Sequence, residues 1–488
     1  MGLFNLLADV EIGLFGQTFD VYLNWIGKII RFLISGVGVV GVGIILFSLI
    51  LKLITLPFDV YQRISMRKQN IKMKENQARM EKLQKQYAND KNMYNQKVME
   101  MYKENGISMF SSCLPMILSL IIFIVAINAF NAFSQYSNIQ NYNMMVNAYN
   151  ARMESYCADL TEENISFENN LITVKDDAAD KYIYYTLEVA EDETVEDALA
   201  YVQETPKEYR IYYIDVEKAN TNAEIQAFVA ETLAAKEAEN AAIEGSEPLT
   251  EEVKAEIKQT AIKNYFIDKA QDAVVEIYNS DVKENTKFIW IKNIWVTDAS
   301  YKHPVLDWTS FKTEITSRGN FDVNGEKVNY SSIQEYTNVY DENGDTYSII
   351  TGKLIEQKAE SNGWFILVAL SIGTILLQQF VSMRAQKEQQ KYSTVDGQAG
   401  SQQKMTMVIM TGMFAIFSFM YSSAFSIYLI TSNVFSLVST LVINKMVDAN
   451  ENKKAERAMQ EKHNQRFPGR VSSASSEKNT KTDKKNKK

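Results

Sequence analysis

The sequence predicts an all-α polytopic membrane protein: five transmembrane helices with a cytoplasmic helical hairpin, plus an inserted extracytoplasmic α+β domain. Three observations carry that expectation. Apolar runs lie near residues 32–58, 114–133, 364–383, 405–421 and 424–443, each of about 17 to 27 residues, which at ~1.5 Å per residue cross or nearly cross a hydrocarbon core of roughly 30 Å. Charge is partitioned, with 43 acidic against 20 basic side chains in residues 151–360 and a basic remainder, so the formal net charge of -9 describes neither part. Basic residues collect after the first run (Arg63, Arg67, Lys68, Lys72, Lys74), after the third (Arg384, Lys387, Lys391) and after the fifth (Lys445, Lys453, Lys454, Arg457). The positive-inside rule makes those loops cytoplasmic, with the N-terminus and the acidic region outside and the C-terminus inside.

Taken in order, residues 1–27 form an amphipathic segment on the outer surface, with Leu3, Leu7, Val10 and Leu14 apolar and Asp9, Glu11 and Asp20 between them. They lack the basic start, short apolar core and small-residue cleavage site of a signal peptide. Residues 28–58 are the first transmembrane helix. Residues 59–105 keep apolar side chains at helical spacing (Val60, Ile64, Ile71, Met80, Leu83, then Tyr94, Val98, Met101) and break at Asn89-Asp90-Lys91, which makes a basic helical hairpin. Two readings stand for it: a solvated hairpin resting near anionic lipid headgroups, or a contact site for ribosome, translocon or substrate. The second transmembrane helix covers 106–133.

The acidic extracytoplasmic region covers 134–361. Leu171-Ile172-Thr173-Val174, Tyr182 to Leu187 and Ile211 to Ile214 read as strands, and the Ala, Glu and Lys-rich stretch Asn222 to Asn279 as helices. Asn324-Gly325 and Asn343-Gly344 are turn signals. The third transmembrane helix is 362–383, followed by a cytoplasmic loop, 384–403, a fourth helix, 404–421, and a fifth, 424–446. Residues 447–488 end in a Lys-rich tail expected to be disordered, and its charge attracts RNA or anionic lipid. Cys113 and Cys157 fall on opposite sides of the membrane, so no disulfide framework is expected.

The chain has only two histidines, His303 and His463, and no metalloprotease, nucleophile-elbow, phosphate-loop or paired-cysteine pattern, which argues against an enzyme and against a cofactor. The conspicuous polar residue within a span is Lys52. An ionisable group there is costly unless it faces water or a partner. Pro57 follows only five residues on, so the lysine stem can snorkel to the interface. Alternatively Lys52, with Ser48 one turn earlier on the same face and with Ser119, Gln378, Gln379, Thr431, Ser432 and Asn433 at compatible depths, lines a wet groove. Interhelical hydrogen bonding is the plainer role for those polar residues.

In their order along the chain, several segments resemble the YidC-type insertases, whose mitochondrial and chloroplast relatives share the same core. They are Leu49 to Pro57, the basic hairpin, Asn105-Gly106 with Cys113-Leu114-Pro115, Phe288-Ile289-Trp290-Ile291, and Tyr428 with Thr431-Ser432-Asn433. The resemblance covers roughly residues 25–135, 286–298 and 364–446, and its strength is the order of the segments rather than any one motif. It implies a membrane protein insertase or chaperone of the bacterial cytoplasmic membrane that needs no cofactor. Lys52 stands where the family has an arginine, and Ser48 where it has a hydroxyl residue. By resemblance the cation sits in a groove open to the cytoplasm and attracts polar or acidic segments of an incoming polypeptide. Implied partners are nascent membrane proteins, the ribosome through hairpin and tail, the Sec translocon and anionic lipids. Departures are Lys52 itself, which loses the planar guanidinium fork, Ser112 for a glycine, Ser119 for a glutamine, Leu429 for an aromatic, and an acidic region much larger than expected. The competing reading is a polytopic receptor or transporter with a ligand-binding extracytoplasmic domain.

Overall fold

The structure, a computed structural model, describes residues 10–11, 16, 18, 20–106, 110–157, 165–168, 171–174, 183–188, 194–204, 211–214, 216–318, 321–323, 326–328, 345–385 and 398–466, some of them, 110–120 included, by backbone alone. In chain order the elements are β1 (Val10–Glu11), α1 (Trp25–Val37), α2 (Val40–Glu75), α3 (Gln77–Gln86), α4 (Lys91–Glu104), α5 (Phe110–Glu154), β2 (Ile165–Glu168), β3 (Leu171–Val174), β4 (Ile183–Glu188), α6 (Val195–Glu204), β5 (Ile211–Ile214), α7 (Val216–Thr221), α8 (Ala223–Ala241), α9 (Glu251–Ile277), a π-helical turn (Tyr278–Val282), α10 (Lys283–Thr286), α11 (Trp308–Arg318), β6 (Phe321–Val323), β7 (Glu326–Val328), α12 (Asp345–Ile350), α13 (Ile355–Ala359), α14 (Ile366–Ala385), α15 (Gln398–Met420) and α16 (Ser423–Arg466). They divide into two compact units. One takes residues 45–125, 369–417 and 428–488, and the other residues 1–44, 126–368 and 418–427.

The expected architecture needs correction at the level of fold class. Among the described residues, three helices are long and apolar enough to cross a membrane, not five: Val40–Glu75, Ile366–Arg384 and Ser423–Val447. In α15 the described apolar stretch is only Thr411–Met420, about 15 Å of helix against a core of roughly 30 Å. In α5 the apolar residues past 125 are spent differently. Ala126, Ala129, Phe130 and Phe133 are buried, with the Phe133 ring 4.9 Å from Trp295 and the Phe130 ring 6.3 Å from Phe425. An apolar run records burial without saying whether lipid or protein does the burying. The idea of a self-contained α+β insertion is corrected too. The five-stranded antiparallel sheet runs β1-β5-β4-β3-β2, so its edge comes from Val10–Glu11, outside the insertion, and the mass of the unit is helical.

In the unit that holds residues 45–125, α2 runs straight through Pro57. Proline removes the N–H that would bond the carbonyl of Leu53, and two residues before it the Thr55 hydroxyl donates to the Lys52 carbonyl at 3.1 Å. Helices α3 and α4 form a hairpin. Asp90 caps α4 by accepting from the Met93 amide at 3.0 Å, and Met73, Met80, Met101 and Tyr102 make a small core with Leu83 and Val98 against it. Lys72 Nζ closes the base, donating to the carbonyls of Asn105 at 3.0 Å and Gly106 at 3.3 Å.

In the other unit α1 begins at Asn24, whose side chain accepts from the Gly27 amide, and ends at Gly38, whose φ of 74° takes the left-handed region a glycine reaches without strain. The core gathers Ile139, Val146 and Tyr149 of α5 with Ala261, Ile262, Phe266 and Val274 of α9 and Ile350 of α12. A second device fixes the start of α14. Asp298, fully buried, accepts from the amides of Trp364 at 2.7 Å, Phe365 at 3.2 Å and Leu367 at 2.6 Å. A carboxylate on those orphan donors satisfies the helix N-terminus and favours its dipole. Beside it Asn362 donates to the carbonyls of Asn293, Val296 and Thr297 and accepts from the Asn293 amide.

Several sequence expectations fall outside the described residues: most of segment 1–27, the turns at Asn324-Gly325 and Asn343-Gly344, and the tail beyond 466.

Candidate functional site

In the unit holding residues 45–125, a polar cavity of about 370 Å³ forms where α2, α5, α14, α15 and α16 converge. Its floor is α2. Leu51, Lys52, Thr55, Asp59, Gln62 and Arg63 all line it, and their spacing of three or four residues is that of one helix face. From α14 come Ile375, Gln378, Gln379 and Ser382, and from α16 Tyr428, Leu429, Ser432, Asn433, Ser436, Ser439, Thr440 and Ile443. Ile122 and Phe123 of α5 and Phe414 of α15 supply an apolar wall, where the rings of Phe123 and Phe414 meet edge to face at 4.8 Å.

Hydrogen bonds hold part of this polar lining in place. Arg63 Nη2 donates to Thr440 Oγ1 at 2.9 Å, Thr411 Oγ1 donates to Gln379 Oε1 at 2.9 Å, and Gln378 Nε2 donates to Ser382 Oγ at 3.4 Å. The amide nitrogen of Asn433 is shielded from solvent and has no hydrogen-bond partner among the described residues. A buried donor left unmet costs about 1–3 kcal/mol, so such an atom marks a place where water or a ligand group is wanted. The cavity is large enough for several waters, which is what a half-buried ammonium such as that of Lys52 requires.

Of the residues singled out from the sequence, Lys52, Gln378, Gln379, Tyr428, Ser432 and Asn433 are brought together in this lining. Ser48 is fully buried one turn before Lys52 and lies outside the lining, as does Thr431. The side chain of Ser119 is outside the described residues. Sequence reasoning missed Asp59, Gln62 and Arg63, because it ended the span at residue 58 and assigned them to the hairpin. The signal was there: Asp59 falls seven residues after Lys52, two turns on along the same face. It also missed Ser436, Ser439 and Thr440, which continue the polar stripe of α16 from Ser432 at helical spacing. Among the described residues no group of three or more His, Cys, Asp or Glu is placed to hold a metal ion.

The three helices that are long and apolar enough to cross a membrane among the described residues, α2, α14 and α16, all line this cavity, which makes the chain a helical membrane protein. Comparison with known proteins goes further. The model of the 60Kd inner membrane protein family matches residues 32–184 and 275–451. That is more than half of the chain, and the chain belongs to this family, that of the YidC-type insertases, as a multi-pass protein of the cytoplasmic membrane. Membrane protein insertase YidC of Caldanaerobacter subterraneus subsp. tengcongensis is 39% identical over 98 residues, covering 20% of this chain and 46% of that one. The protein of the same name from Clostridium tetani is 44% identical over 84 residues, 17% of this chain and 36% of that one. That from Fusobacterium nucleatum subsp. nucleatum is 39% identical over 84 residues, 17% and 39% respectively. The chain thus spans less than half the length of the curated relatives it matches. No solved structure matches it. Family membership supports a general role in membrane-protein biogenesis.

Proposed function

We propose that this protein inserts nascent membrane proteins into the cytoplasmic membrane through a hydrophilic groove built on Lys52. The observation that carries the reading is the polar cavity itself, which sets one ammonium among amides and hydroxyls of α14 and α16. Polar groups of a client crossing a hydrocarbon core cost several kcal/mol each when unsatisfied. A wet cavity within the spans shortens the dry path, and the charge of Lys52 attracts acidic or polar segments while the client's apolar segment moves into lipid. No covalent chemistry and no nucleotide are involved. Ser48, Ser119 and Thr431 belong to the same groove in this reading, with the hairpin and basic tail facing the cytoplasm, the ribosome and anionic lipid, and the Sec translocon as a cooperating partner.

Complementation of insertase-depleted cells by wild type and by Lys52→Arg, Lys52→Ala and Lys52→Glu tests the proposal. Wild type and Lys52→Arg are expected to rescue and to crosslink to a nascent single-span substrate, Lys52→Ala to act weakly, and Lys52→Glu to fail. Failure of the wild-type chain to rescue or crosslink overturns the insertion reading. Equal activity of all four removes Lys52 from the mechanism.

A further inference from the structure

The cavity holds charges of both signs. Among its described lining residues Lys52 and Arg63 are cationic and Asp59 is anionic. Asp59 stands between the other two on the uninterrupted α2, seven residues after Lys52 and four before Arg63, which is about 10 Å and about 6 Å along the helix axis. Its carboxylate interacts electrostatically with both. Arg63 is also engaged sideways, through its hydrogen bond to Thr440 on α16. Arg63 and Asp59 therefore lie between the basic end of α2 and Lys52.

We propose that Asp59 is the specificity-determining residue of the groove: a fixed counter-charge that moderates the pull of Lys52 on acidic client segments and eases the entry of basic ones. The inference rests on the insertion reading above. With Asp59 ionised, an incoming carboxylate bound near Lys52 meets a like charge about two helical turns away, and an incoming ammonium or guanidinium meets an opposite one. Coulomb's law for unit charges ~10 Å apart, between a watery and a protein-like effective dielectric, corresponds to about two- to twenty-fold in relative binding. The plainer role for Asp59 is to neutralise Arg63 and keep α2 in place, which alters every client alike. Charge selectivity alters clients according to their sign, and that difference separates the two.

The test uses the full-length protein in native membranes and three single-span reporters whose translocated tails carry two aspartates, two lysines or neither. Insertion is read as the ratio of each charged reporter to the neutral one in the same membranes, so lower accumulation of a variant cancels. For Asp59→Asn and Asp59→Ser the acidic-to-neutral ratio is expected to rise by about two-fold or more and the basic-to-neutral ratio to fall by a similar factor. Asp59→Glu is expected to keep the wild-type ratios. Unchanged ratios, or acidic and basic reporters moving in the same direction, overturn the assignment of Asp59. Failure of wild type to insert even the neutral reporter overturns the insertion reading itself, a distinct result.

Discussion

The guanidinium of Arg63 donates to the hydroxyl of Thr440 at 2.9 Å, joining α2 to α16 at one end of the polar cavity. Hydrogen bonds to charged groups are worth about 1.5–3 kcal/mol, and this one is partly buried. Thr440→Val keeps the shape and removes the acceptor. It is expected to lower the thermal midpoint in detergent micelles by several degrees, with Thr440→Ser close to wild type. Equal midpoints for the two variants argue that the bond is incidental.

Removing the Asp298 carboxylate strands three backbone amides, those of Trp364, Phe365 and Leu367, at the buried start of α14. Asp298→Ala is expected to cost about 3 kcal/mol or more, read as loss of folded protein in a thermal melt. Gly363→Ala should hurt by another route, since a Cβ at that position runs into the Asp298 carboxylate. A wild-type melt for Gly363→Ala contradicts the close packing described.

Burial, reinforced by the Glu360 carboxylate, raises the Tyr278 hydroxyl to about 12 from an ordinary 10.0. The folded state therefore favours the neutral phenol. Its contribution to stability is complete below pH 10 and is lost as the pH rises from 10 through 12. The difference in tyrosinate absorbance between wild type and Tyr278→Phe should show one phenol titrating near 12. A difference centred on 10 refutes the expectation.

The hairpin offers a contrast of magnitudes. Met101 is 1% exposed, and truncating such a side chain to alanine costs about 2–5 kcal/mol. The Arg79–Glu104 ion pair spans the same two helices at 2.8 Å, with side chains 54% and 57% exposed, where such pairs are worth about 0–1 kcal/mol. Limited proteolysis should therefore cut the hairpin readily in Met101→Ala and at near wild-type rates in Arg79→Ala. The reverse order of susceptibility overturns the packing account.

Ile289 has a φ of 56° while 75% exposed, at the tip of a two-residue turn closed by paired hydrogen bonds between Phe288 and Ile291. A β-branched residue in the left-handed region is strained by about 1–2 kcal/mol, and little packing offsets it here. Ile289→Gly is expected to raise stability by up to about 1 kcal/mol, after allowing for the entropy glycine adds to the unfolded chain. A lower melting temperature would show that the side chain has work to do at the surface.

What could be read from the sequence was local. The face carrying Ser48 and Lys52, the amides of Gln378 and Gln379, and the stripe from Tyr428 to Asn433 were visible as polar residues at odds with apolar neighbours. Two things were not visible. Hydropathy could not tell that Phe130 and Phe133 pack against Phe425 and Trp295, because the same side chains serve lipid and core alike, and five spans were expected where three helices among the described residues are long and apolar enough. Asp59 and Arg63 were read with the hairpin that follows residue 58, although a proline costs one hydrogen bond and leaves the helix free to continue, and α2 carries both into the cavity lining with Lys52. The edge strand Val10–Glu11 was illegible for another reason: its pairing with Tyr213 and Ile214 joins residues about two hundred positions apart, and no local pattern encodes so distant a partner.

Lys52 and Lys72 ride on the same α2, twenty residues or about 30 Å apart. One looks into the cavity, and the other fastens the base of the hairpin through the carbonyls of Asn105 and Gly106. One unbroken helix thus ties the ammonium that lines the groove to the ammonium that anchors the hairpin, with Pro57 between them.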